Sequence, residues 1–182
     1  MVRQVIAPLL LLTCWAGASP AQTVLERAAY NAQVAMTICL NNYLSPQMIH
    51  PAFTAAGFRH EREQYGDEAP LEYFVAPDQT ATATVSVGEF GSVSCAVSSD
   101  HFAVSQALPF ARAVAEQALR KQLSVGSPEK DNIVPGHPQA RGTPCSGFSV
   151  LVPRAMIWIE VGTAGQDPVC VDNGTAQIMP HM

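Results

Sequence analysis

Charge is scarce in this sequence. Lys, Arg, Asp and Glu make up 14% of its 182 residues, against roughly 25% in an average soluble domain. Disordered segments and coiled coils both need charge in bulk, so neither describes this chain. Ten basic and fifteen acidic residues give a net charge of −5, which leaves no basic track for nucleic acid. Beyond the N-terminus there is no apolar run of about 18 residues, and this excludes a bundle of membrane-spanning helices. The motifs of common chemistries are missing too. There is no CxxC, HExxH, DxDxDG calcium loop, GxSxG elbow, GxGxxG or P-loop. Nothing in the sequence therefore calls for a metal or a cofactor.

What is present begins with an address. Residues 1–21 read as a secretory signal peptide. Arg3 supplies the positive start, residues 5–15 form a mostly apolar core, and small residues allow cleavage after Ala18 or Ala21. The apolar run is too short to cross about 30 Å of hydrocarbon. Thr13 is bulkier than the residue that usually precedes a lipidated cysteine, so Cys14 is not read as a lipid anchor. The expected location is the periplasm or the extracellular space. Removing 21 residues leaves 161, with nine basic and fifteen acidic side chains and a charge of −6. Four cysteines remain, Cys39, Cys95, Cys145 and Cys170. An even count in an exported chain points to disulfides, with three possible connectivities.

The mature chain, 22–182, reads as a single α+β domain. Thr23 and Glu26 form a capping box. Leu25, Ala28, Ala29, Ala32, Ala35, Met36, Cys39, Leu40 and Tyr43 then recur at helical spacing. A second, short helix is expected from Pro51 to Gly57, closed by a Schellman turn that brings Phe53 against Phe58. Strands follow at 71–76, 80–87 and 92–98, the last two alternating small apolar residues with Ser and Thr. A long helix is expected over 106–123, with Ser105 as cap and Pro109 in its first turn. Residues 124–144, rich in Gly and Pro, read as a long loop. Two more strands, 146–152 and 155–162, precede a polar tail at 163–182. The expected order is α-α-β-β-β-α-β-β. It describes a single antiparallel sheet of about five strands with helices packed on one face.

The faces discriminate among the disulfide connectivities. Cys39 lies on the apolar stripe of the first helix, and Cys95 shares the inward face of its strand with Val93 and Val97. A Cys39–Cys95 bridge would join the two layers, and Cys145–Cys170 would clip the tail.

Candidate chemistry is sparse. His60 sits among Glu61, Glu63, Asp67 and Glu68, in a stretch that otherwise reads as a solvated connection. Asp100 beside His101 could orient an imidazole for acid–base work, although such neighbours at a strand exit also serve as turn and cap residues. The reading that fits these absences is an exported binding or structural module. Its ligand surface would be the Gly/Pro-rich loop or the Ser/Thr face of the sheet, and its partner another exported protein or a small ligand. One alternative is an inhibitor or accessory subunit docking on a secreted protein, with Trp158 or Phe148 as anchor. A second is a small hydrolase or metal-dependent enzyme, which would require His60, Asp100 and His101 to converge in one pocket.

Overall fold

The computed structural model describes residues 23–64, 66, 70–88, 92–101, 103–123, 133–135, 146–162 and 176–182. The expected leader, the Cys145–Cys170 pair and most of the 124–144 loop lie outside these residues.

Helix α1, Val24–Asn41, begins as its sequence dictates. The Thr23 hydroxyl accepts from the Glu26 N–H, and the Glu26 carboxylate accepts from the Thr23 N–H. A 3-10 turn at Pro46–Met48 leads into α2, Ile49–Ala55. This helix starts two residues before the expected Pro51. Proline is tolerated there because the first-turn N–H groups have no partner within the helix. The Schellman end forms as expected. Phe58 N–H donates to the Phe53 carbonyl and Gly57 N–H to that of Thr54. Gly57 takes φ +82, and the Phe53 and Phe58 rings lie 5.2 Å apart.

Four strands follow: β1 Arg59–Glu63, β2 Leu71–Val75, β3 Thr82–Val87 and β4 Val93–Ser99. Then come α3 Val104–Ala118 and α4 Arg120–Leu123. Four more strands complete the order: β5 Ile133–Pro135, β6 Ser146–Val152, β7 Ala155–Gly162 and β8 Ala176–His181. They form one eight-stranded sheet in the order β1-β2-β3-β4-β8-β7-β6-β5, with every pairing antiparallel. The order is palindromic about the β4–β8 pair, and each half consists of helices followed by a four-stranded meander.

The α+β class and the single antiparallel sheet stand, but the count of about five strands and the expected order do not. Three strands went unread, each for a physical reason. All five residues of β1 are exposed, so it buries no face and leaves no alternation. It is an edge strand guarded by charge, a common device against unwanted pairing. Strand β5 is three residues long, inside the stretch read as loop. Strand β8 lies in the expected polar tail, yet it occupies the middle of the sheet. Its alternation runs Ala176, Ile178 and Pro180 inward, and Met182 and Val93 exchange both backbone hydrogen bonds. Helix α3 also differs. It starts at Val104 behind Ala103, whose N–H donates to the Gln106 side chain, so Ser105 is not the cap. Pro109 therefore falls in the second turn.

Helices α1 and α3 pack side by side on one face of the sheet. Their facing stripes are largely alanine: Ala28, Ala32 and Ala35 on α1, and Ala107, Ala111 and Ala115 on α3, all buried. Small side chains let two helices approach each other and the sheet closely. Beneath them lie Val97, Val150, Ile157, Ile159, Val161 and Ile178, with Phe74 under α2 against Phe53. Cys39 and Cys95 are bridged through this core, with Cα atoms 6.3 Å apart, as their faces implied. No helix among the described residues is long and apolar enough to cross a membrane.

Candidate functional site

Alternation along a strand sends neighbouring side chains to opposite faces. The helices occupy one face, and no described element covers the other. Strand β4 shows this most plainly: Val93, Cys95, Val97 and Ser99 are buried, while Ser94, Ala96 and Ser98 are half-exposed. The register then assembles the open face row by row. Tyr73, Thr84 and Ala96 align across β2, β3 and β4. Ser86, Ser94, His181 and Trp158 align across β3, β4, β8 and β7.

At the centre of this face, three adjacent strands contribute a polar group each. The Ser94 hydroxyl lies 3.4 Å from His181 Nδ1, and His181 Nε2 lies 3.7 Å from the Glu160 carboxylate. With its proton on Nε2, towards Glu160, the ring would leave Nδ1 to accept from the serine. A general base beside a hydroxyl is the beginning of a nucleophile, but the strands that carry this group supply no oxyanion site of their own. In central strands paired on both sides, backbone N–H groups point along the sheet plane into the ladder. They therefore do not converge above Ser94 to stabilise an oxyanion. The arrangement is suited to donating and accepting hydrogen bonds on an open surface.

The structure does not bring the expected polar residues together. His60 is on β1, at the edge of the sheet. Asp100 and His101 leave the end of β4, three strands away, or roughly 14 Å at about 4.8 Å per strand. Both are exposed, and the His101 N–H donates to the Ser99 hydroxyl in the turn towards α3. His60 sits on the helix side, stacked on Phe74 at 5.1 Å and edge-on to His50 at 4.4 Å. Its Nε2 contacts the Glu72 carboxylate, which Arg62 also approaches at 3.4 Å. Among the described residues, no group of three or more His, Cys, Asp or Glu side chains is placed to hold a metal ion.

One polar network escaped the sequence. Asn31, buried on α1, donates to the Asp78 carboxylate at 2.8 Å and to the Thr80 hydroxyl at 2.9 Å. Arg27, one turn earlier, pairs with Asp78 at 3.1 Å. The Ser99 hydroxyl donates to the Thr80 carbonyl at 2.7 Å. Burial alone would raise the Asp78 pKa. Hydrogen bonds from the Thr80 hydroxyl and N–H, with Arg27 alongside, outweigh that and hold it below the usual carboxylate value. This network latches α1 to the β2–β3 turn, where Gln79 takes φ +60. The signal available was Asp78-x-Thr80, the spacing of a side chain closing its own turn.

Compared with known proteins, the chain matches no family model, no curated protein and no solved structure.

Proposed function

We propose that the protein is an exported binding domain, stapled by Cys39–Cys95, that presents the open face of its sheet to another exported protein. The observation that carries this reading is a broad face of half-exposed Ser, Thr, His, Glu and aromatic side chains that no described helix covers. Its size fits a protein partner. Seven strand spacings of about 4.8 Å give roughly 34 Å across. With strands roughly 20 Å long, the face offers roughly 700 Å², close to the ~800 Å² that each partner contributes to a standard interface. The mixture of hydroxyls and aromatics suits an interface formed between two independently folded molecules. The leader-like N-terminus supports export.

The docking alternative converges on the same surface. Phe148 is buried beneath the helices and cannot serve as an anchor. Trp158, half-buried on the open face, remains as one, and indole is the side chain most enriched at binding hot spots.

Site-specific photo-crosslinking in the native cell envelope tests the proposal. A crosslinking residue at Thr84 or Ala96 is expected to yield a discrete adduct with one protein. The same residue at Tyr30 or Arg112, exposed on the helices, is expected to yield none. Adducts from the helical side alone, or from neither side, would contradict it.

A further inference from the structure

The eight-stranded sheet has two edges, and they differ. Strand β5, on one side, is three residues long and ends in Pro135, which has no N–H to donate. Strand β1, on the other, contains no proline and pairs with β2 through all five of its residues, Arg59–Glu63. Along such a strand every second residue turns its N–H and C=O away from the neighbour. No described strand receives those of β1, so its outer rim is a template for one more strand. Helix α2 is drawn inward over β2, where Phe53 stacks on Phe74.

Charge on an edge strand discourages pairing in general, but it also decides which strand fits. A second copy would meet β1 antiparallel, about a two-fold axis normal to the sheet. Two-fold symmetry is the commonest arrangement of homo-oligomers. That axis keeps each face of the sheet on its own side, so it passes through a residue that faces its own copy. With Glu61 at the centre, two carboxylates face each other and His60 meets Arg62. With Arg62 at the centre, two guanidinium groups meet and Glu61 faces Glu63. With His60 at the centre, Arg59 stands opposite the partner copy's Glu61, and Glu61 opposite the partner copy's Arg59. His60 stacks on Phe74 on the helix side, so Arg59 and Glu61, its neighbours, share the other side. They already contact each other along the strand. In the register centred on His60 the four charges alternate around a square, and each keeps its partner and gains a second. All are exposed, so little hydration is given up.

We propose that the protein forms a symmetric dimer through β1, paired antiparallel about His60, so that two eight-stranded sheets join into one. Backbone hydrogen bonds between the two rims supply the affinity. Arg59 and Glu61 supply the register, and they turn away strands of other charge patterns. The open face of each copy stays uncovered, so the dimer does not depend on the docking role proposed for that face.

Sedimentation velocity over a range of protein concentrations tests this, with charge swaps at the exposed positions 59 and 61. The native protein is expected to form dimers as concentration rises. Arg59→Glu and Glu61→Arg, taken singly, each place two like-charge pairs across the axis and should weaken dimerisation about tenfold or more. The double variant, Arg59→Glu with Glu61→Arg, restores both opposite pairs and should dimerise as the native protein does. An equimolar mixture of the two single variants should form a heterodimer, because every facing pair is then of opposite charge. A native protein that stays monomeric at all concentrations would overturn the proposal. So would single variants that dimerise as well as the native protein, or a mixture that associates no better than its components.

Discussion

The two faces of the sheet are built from the same strands and differ in what they demand of each residue. On β2, Phe74 is buried under α2 and Tyr73, its neighbour, is half-exposed. On β3 the same relation holds between Ala83 and Thr84, and on β8 between Ile178 and Met179. The packed face needs shape and apolar area, because its side chains meet α1, α2 and α3 at interior density. The open face needs only residues that tolerate an extended backbone. Its chemistry is therefore free to serve binding, and it combines hydroxyls, His181, Glu160, Tyr73 and Trp158 with charged residues of β1 and with Leu151, Met156 and Met179. This also accounts for the scarcity of charge. A surface that would ordinarily be Lys and Glu is Ser and Thr, and the helical layer is largely alanine.

Substitutions on opposite sides of one strand sharpen the contrast. Phe74→Ala removes a ring stacked on Phe53 at 4.4 Å and should cost about 3–5 kcal/mol. Tyr73→Ala should cost less than about 1 kcal/mol. Chemical denaturation of both variants measures the difference, and equal losses would mean that the open face is packed as well. Replacing Cys39 and Cys95 together by Ala releases a constraint spanning 56 residues and should cost about 4 kcal/mol on loop entropy. Reduction of the native protein should lower its melting temperature similarly. Asn31→Ala, which strips donors from Asp78 and Thr80, should cost about 1–2 kcal/mol.

The smallest effect depends on pH. The folded Asp78 pKa is depressed, so its contribution is present above the unfolded value, near 3.8. It is lost as pH falls through the lower folded value. Asp78→Asn should lose stability at neutral pH and show a correspondingly shallower decline on acidification, read from denaturation midpoints across that range.

Where burial left a long pattern, the sequence was readable. The capping box of α1, the Schellman end of α2, the alternation of β3 and β4 and the Cys39–Cys95 bridge all follow from spacing. Most of what was lost had little pattern to leave, and the alternation of Ala176, Ile178 and Pro180 in β8 is short and lies in a polar stretch. Strand β1 is wet on both sides, β5 spans three residues, and β8 is short and ends in Pro180-His181, which reads as a terminus until β4 and β7 are placed beside it. The Ser94–His181–Glu160 group was illegible for the same reason. Its members come from three strands whose adjacency exists only once the sheet closes around β8. Asn31 was hidden because it interrupts an otherwise apolar stripe on α1, and its partners are about fifty residues away.

Solvent accessibility read residue by residue tests the open face most directly. A soluble nitroxide added to the protein broadens NMR signals of the side chains it can reach. The fold described here requires Thr84, Ser94, Ala96 and Met179 to be broadened strongly, while Ala83, Val97 and Ile178, their neighbours on the same strands, stay sharp. Equal protection of both sets would show that another part of the molecule covers the face, and the surface proposed for binding would not exist.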